Sequence, residues 1–299
     1  MDDLAVHRLA ALVVGLVTPC SAFAHAGGDT TAGAIEQGLL AVLTLALVLG
    51  AILYARGVIT LWRKAGVGRG IRRGEAANFA LGWAVLAGSL LSPIDAWADR
   101  SFAVHMTQHE LLMVVAAPLI VLGRPLEAWA WGVSGPVRRF FMMAAKAPIL
   151  AAIGYLTTLS LGAWALHALA LWLWHLPILF QAALLHPLVH ILQHSCFFGS
   201  ALAYWWTVFG GRTRNPTGAA IASLFTTMLH TSALGALLTF APSPWYVAEG
   251  TRAFGLSALE DQQLGGLIMW VPGGLAYMVA GLAIVGKWLS QPRSSRASA

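Results

Sequence analysis

The sequence predicts an all-α polytopic membrane bundle of seven transmembrane helices, with the amino terminus outside and the carboxyl terminus in the cytoplasm. Three observations carry this. The 299 residues are 58% hydrophobic and only 10% charged, with a mean hydropathy of +0.72, whereas a soluble domain carries about 25% charged residues. Seven apolar segments approach the length that a bilayer core demands, about 20 residues. Basic residues gather in alternate loops between those segments, the asymmetry that orients membrane proteins.

The elements follow in order. Residues 1–24 read as a signal peptide: a short apolar core at residues 9–17 precedes Ala22-Phe23-Ala24, a small-x-small cleavage site. Asp2 and Asp3 oppose Arg8 in the leading segment, so an uncleaved short anchor is the other reading. Cys20 would leave with the signal and Cys196 would stand alone, so no intrachain disulfide is expected. Cleavage after Ala24 would make His25 the first residue, able to chelate Cu(II) through its amine and imidazole, whereas cleavage after Ala26 would discard it. Residues 25–286 form the membrane domain, with helices at about 35–62, 75–92, 102–122, 149–173, 187–209, 218–240 and 261–286. Residues 287–299 form a basic cytoplasmic tail.

The loops set the orientation. Arg63, Lys64, Arg69, Arg72 and Arg73 follow the first helix, Arg124, Arg138, Arg139 and Lys146 the third, Arg212 and Arg214 the fifth, and Lys287, Arg293 and Arg296 the seventh. The opposite loops hold only Arg100 and Arg252 beside Asp95, Asp99, Glu249 and Glu260. Thirteen Trp suit interfacial belts. The absence of any extended soluble domain argues against a nucleic-acid partner despite a pI near 9.8.

This orientation places a set of histidines in the outer half of the bundle. His105 and His109 lie one to two turns into the third helix, His190 and His194 at similar depth in the fifth, and His230 near the middle of the sixth. Asp261, with Gln262 and Gln263, opens the seventh. Side chains four apart share a helix face, and histidine inside a bilayer is costly and marks function. These six residues are the candidate metal ligands, with Asp261 an auxiliary ligand or hydrogen-bond acceptor. Gln108, Glu110 and Thr226 stand where they could support them. Other histidines read differently. His167, beside Trp164, is expected to be structural, and His175 and His186 to lie solvated at the outer interface. Met113 and Met269 read as packing residues, Met106, about 100° around the helix from His105, as a weaker ligand, and Gly265 and Gly266 as points of close helix approach. Pro118 and Pro272 should kink their helices, and the stretch from Ser92 to Ser101 should form a turn and a helix cap.

Neutral imidazole suits copper, zinc, iron and nickel. Histidines four apart are separated by about 6 Å of helix rise, too little for two stacked haems, though one haem remains open. No nucleophile with a nearby base, phosphate loop or Cys-x-x-Cys is present, so the chain is not read as an enzyme.

The run Ser92-Pro93-Ile94-Asp95, followed by His105-Met106-Thr107-Gln108-His109-Glu110-Leu111-Leu112-Met113 and Pro118, resembles the CtaG-type cytochrome c oxidase assembly factors. So do His186-Pro187-Leu188-Val189-His190-Ile191-Leu192-Gln193-His194, Leu229-His230, and Asp261-Gln262-Gln263-Leu264-Gly265-Gly266 with Met269-Trp270. The resemblance covers about residues 35–286. It implies a multi-pass protein of the bacterial cytoplasmic membrane that serves the maturation of haem–copper oxidases through copper. Oxidase subunits, membrane lipid and periplasmic copper chaperones are then the expected partners. A single-haem membrane cytochrome and a copper permease or copper-resistance protein stay open as alternatives.

Overall fold

The computed structural model describes residues 30–144, 160–210, 217–246 and 253–290. The signal segment, Cys20, His25, the first part of the fourth predicted helix, and Lys146, Arg212, Arg214, Glu249, Arg252, Arg293 and Arg296 lie outside the described residues. Every regular element among those described is helical. We label them α1 Thr30–Ala65, α2 Arg73–Leu91, α3 Pro93–Ala98, α4 Phe102–Leu122, α5 Pro125–Gly132, α6 Gly135–Ala144, α7 Ser160–Trp174, α8 Pro177–Leu185, α9 Pro187–Phe209, α10 Thr217–Thr239 and α11 Ala258–Leu289.

All seven expected segments contain helix. Among the described residues four helices are long and apolar enough to cross a membrane: α1, α4, α10 and α11. A fifth crossing arises if α7 and α8, bent by 74° about a short break, act as one. The break follows from Pro177, whose ring cannot continue the preceding helix, and the bend was not expected from the apolar pattern. The stretch after Ser92 differs too. Ser92 ends α2 and Ser101 caps α4 as expected, its hydroxyl accepting the Val104 N–H, but residues 93–98 between them form the short helix α3.

The chain divides into two compact units, residues 1–95 with 119–147, and residues 96–118 with 148–299. In the first unit α5 packs on α1 through glycine: a Cβ on Gly57 would overlap the Ala128 carbonyl, and one on Gly132 the Leu53 carbonyl. Indole N–H groups satisfy backbone along the same seam, Trp129 donating to the Gly50 carbonyl at 2.9 Å and Trp83 to that of Leu47 at 3.0 Å. The Tyr54 ring stacks on Phe79 at 3.6 Å, and its hydroxyl donates to the Gly123 carbonyl. Leu40, Val42, Leu45 and Leu49 of α1 face outward, the surface that lipid covers. The basic end is built rather than diffuse. Arg124, at a left-handed φ of 52°, donates to the Gly70 carbonyl and to Glu127, and Lys64 and Arg138 both lie over the Trp131 ring.

In the second unit α10 and α11 cross at Gly235 and Gly266, where a Cβ on either residue would come within 2.7 Å of the other's carbonyl oxygen. Gly265 admits the Phe102 ring in the same way. Met106, Phe180, Leu234, Leu238, Tyr246 and Met269 form one buried cluster, so Met106 and Met269 do pack rather than ligate.

Neither long helix is regular. α4 widens to a π-helix over Leu111–Ala116, and α11 does so over Met269–Gly273, around Pro272. In α4 the bonding can be followed atom by atom. The Ala117 N–H bonds back five residues to the Leu112 carbonyl, which deprives the Met113 carbonyl of its usual donor. The next candidate donor is Pro118, which has no N–H. The Trp205 indole of α9 fills the gap, donating to the Met113 carbonyl at 2.8 Å.

Candidate metal centre

The site is built on the first turns of α4. The Asp261 carboxylate of α11 accepts from the Ser101 hydroxyl at 2.7 Å and from the Phe102 and Ala103 N–H groups at 2.6 and 3.0 Å. A carboxylate there satisfies orphan donors and meets the positive end of the helix dipole. It fixes the start of the helix that carries the first histidine pair.

From this start His105 and His109 project from one face of α4, with ring centroids 4.4 Å apart. His190 and His194 project likewise from α9, 4.2 Å apart. The two pairs face each other. His105 stacks on His190 at 5.2 Å, and His109 meets His194 at 5.1 Å. One ring nitrogen from each of His105, His109 and His194 lies within 4.8 Å of the others. Phe180 and Phe197 wall the group, against His105 and His109 respectively, and His105 and His109 are almost wholly shielded.

The donor set suits a metal ion. A neutral imidazole has one donor and one acceptor nitrogen, and burying either without a partner is costly. Both ring nitrogens of His109 and Nε2 of His194 are buried with no hydrogen-bond partner. A cation at the centre would supply a partner for one lone pair on each ring. All the candidate ligands here are nitrogen and none is a carboxylate, the set favoured by copper, zinc, nickel and iron over magnesium and calcium.

Of the six ligands expected from sequence, four come together: His105, His109, His190 and His194. His230 does not join them, because its ring meets Trp164 of α7, with centroids 5.9 Å apart. Asp261 does not either; its oxygens are taken by the helix start described above. The neighbouring Gln262 accepts the Trp245 N–H at 2.6 Å, and Gln263 donates to the Ala241 carbonyl. Both hold the loop that follows α10. Thr226 donates to carbonyls of its own helix, and Glu110 turns to Gly273 of the π-helical turn.

His167 is structural in the way its position suggested. Ser200 donates to the Phe197 carbonyl, so its oxygen accepts from His167 Nδ1, and His167 Nε2 in turn accepts from Tyr277. His186 is exposed, as expected. His175 is not. It was expected among solvated interface residues, yet it is 3% exposed and its ring lies 6.4 Å from that of His109. Sequence reasoning missed it and Tyr246, whose hydroxyl donates to the His175 carbonyl at 2.8 Å. The available signal was Pro177 two residues on, which stops α7 at Trp174 and leaves His175 in the break. Cys196 is a free, half-buried thiol.

A family model described as cytochrome c oxidase caa3 assembly factor matches residues 52–291, well over half of the chain. No curated protein and no solved structure matches the chain.

Proposed function

Because the chain belongs to the cytochrome c oxidase caa3 assembly factor family, we propose that it assists the oxidase by binding copper at the four-histidine cluster and releasing it toward the oxidase's copper centre. One observation carries this reading. Two helices far apart in sequence each present a histidine pair, and the pairs meet ring to ring with both nitrogens of His109 and Nε2 of His194 buried and unpartnered.

Copper is cargo in this scheme. His105, His109 and His194 hold it, with His190 beside them, and Phe180 and Phe197 keep water away. Asp261 keeps the two α4 histidines at their depth by fixing the first turn. Neutral ligands favour exchange, since no thiolate binds the ion so strongly that it cannot leave. In this reading the protein sits in the bacterial cytoplasmic membrane with seven crossings and the cluster in the outer half. In that orientation Asp95 and Asp99 border the side from which α4 enters, and the chaperones and oxidase subunits that exchange copper approach from the periplasm. A haem held between the pairs is disfavoured by geometry: rings packed 4.2–5.2 Å apart leave no slot for a flat macrocycle.

Metal analysis of the purified protein, loaded with copper in detergent, tests the reading. The wild type should hold copper. His109→Ala or His194→Ala should lose most of it and stay folded, because the apolar faces that pack the bundle are untouched. Unchanged copper in both variants rejects the site. A Soret band in the visible spectrum would move the assignment to a cytochrome, and copper uptake into vesicles would move it to a permease.

A further inference from the structure

We propose that His175 is a fifth nitrogen ligand of this centre, adjoining His109 and positioned by Tyr246; the inference rests on the copper reading above. His175 stands at the break between α7 and α8, where the chain bends by 74° before Pro177. Its Nδ1 lies 2.7 Å from the Leu171 carbonyl. A carbonyl oxygen can only accept, so Nδ1 carries the proton and Nε2 carries the lone pair. That Nε2 is buried and has no hydrogen-bond partner. A backbone carbonyl fixing one ring nitrogen while the other faces a metal is the arrangement that orients histidine ligands in metal sites.

The placement comes close. The His175 ring is 6.4 Å from His109 and is set nearly perpendicular to it, with Phe180 and Phe197 on its flanks. Two imidazoles sharing an ion at a metal–nitrogen distance of about 2.0 Å stand with centroids roughly 5 Å apart at a tetrahedral angle and about 6.3 Å apart when opposite, so His175 stands just outside that reach of His109. His109, with both nitrogens unpartnered, adjoins His105 at 4.4 Å, His194 at 5.1 Å and His175 at 6.4 Å. The nitrogens of His105, His109 and His194 already lie within 4.8 Å of one another, and His175 joins them by a closing shift of its ring toward His109.

The rest of the Asp-Gln-Gln run at the head of α11 serves this residue. Gln262 accepts the Trp245 N–H, and Gln263 donates to Ala241, so the loop of residues 241–246 is pinned to α11 at both ends. That loop carries Tyr246, which stacks on Phe102 and Phe180 and donates to the His175 carbonyl. Tyr246 is a positioning residue: it touches the backbone of His175 and no candidate ligand nitrogen.

The test is copper titration of the full-length protein with X-ray absorption of the loaded sample, which counts nitrogen neighbours directly. His175→Ala should weaken copper by more than the roughly 10- to 100-fold typical of losing an outer partner, and should remove one nitrogen scatterer per ion. Tyr246→Phe should keep the nitrogen count but weaken binding by about 10-fold. If His175→Ala does not fold, His175→Asn keeps a side-chain donor for Leu171 and decides the matter by the same readouts. A wild type that binds copper, with a His175 variant of equal affinity and equal nitrogen count, overturns the fifth ligand and leaves the four-histidine site standing. A wild type that binds no copper overturns both.

Discussion

The carboxylate of Asp261 accepts three hydrogen bonds at the start of α4, two of them from backbone N–H groups that no helical carbonyl can reach. Its charge strengthens each bond relative to a neutral acceptor. Asp261→Asn keeps the shape but presents one carbonyl oxygen and one amide where two oxygens accepted. We expect a loss of about 1–2 kcal/mol, read as a lower melting temperature in detergent, with copper stoichiometry retained. An equal melting temperature together with lost copper would instead make Asp261 a ligand. The same logic separates the histidines. His167 has both nitrogens matched by Ser200 and Tyr277, whereas His109 has neither matched. Burial is common to both, and only the partner inventory distinguishes a packing histidine from a candidate ligand.

At the scale of elements, the π-helical turn of α4 ties the first histidine pair to the second. Its Met113 carbonyl can be reached neither by Ala117, whose N–H bonds to Leu112, nor by Pro118, and it depends on Trp205 of α9. This bond lies on the two helices that carry His105, His109, His190 and His194. Trp205→Phe preserves the stacks on Phe209 and Tyr277 but leaves a buried carbonyl unsatisfied. The expected cost is about 1–3 kcal/mol, measured by thermal unfolding in detergent, and copper affinity should fall with it because the spacing of α4 and α9 is loosened. Unchanged unfolding would show that another donor reaches Met113. The Gly235–Gly266 crossing does comparable work between α10 and α11: only the absence of both side chains lets the backbones approach this closely.

For the molecule as a whole, membership of a cytochrome c oxidase assembly family sets the physiological expectation. A deletion strain should still make the oxidase polypeptides but lose oxidase activity, and added copper should restore part of it if the protein raises local metal supply. Normal activity and normal copper content of the oxidase in such a strain, with no second copy of the gene, would count decisively against the proposal. The amino terminus is a separate matter. A mature chain starting at His25 would add a second copper-binding group outside the membrane, and the intact mass identifies that start. A terminus at Gly27, or a retained Met1, ends that idea.

Some of this was fixed by the sequence alone, and for a physical reason. Composition and the run lengths of apolar residues report on the solvent, and a chain with 10% charge belongs in lipid whatever its topology. Helical periodicity is local, so His105 with His109 and His190 with His194 were legible as two faces, and the proline and glycine positions as irregularities and close approaches. What brings one face to another is not local. That the two pairs meet, that His230 turns to Trp164, and that Asp261 is held by the start of α4 depend on contacts between helices dozens of residues apart. His175 shows the limit most clearly. Its sequence neighbourhood, Trp174-His175-Leu176-Pro177, reads as the end of a span at the interface. Only the 74° break, the Leu171 carbonyl and the Tyr246 hydroxyl turn the ring inward beside His109. The break and the Leu171 carbonyl are local, set by Pro177 and by one turn of the same helix, whereas the Tyr246 hydroxyl and the rings around His109 come from tertiary packing, which decides what the Nε2 lone pair faces.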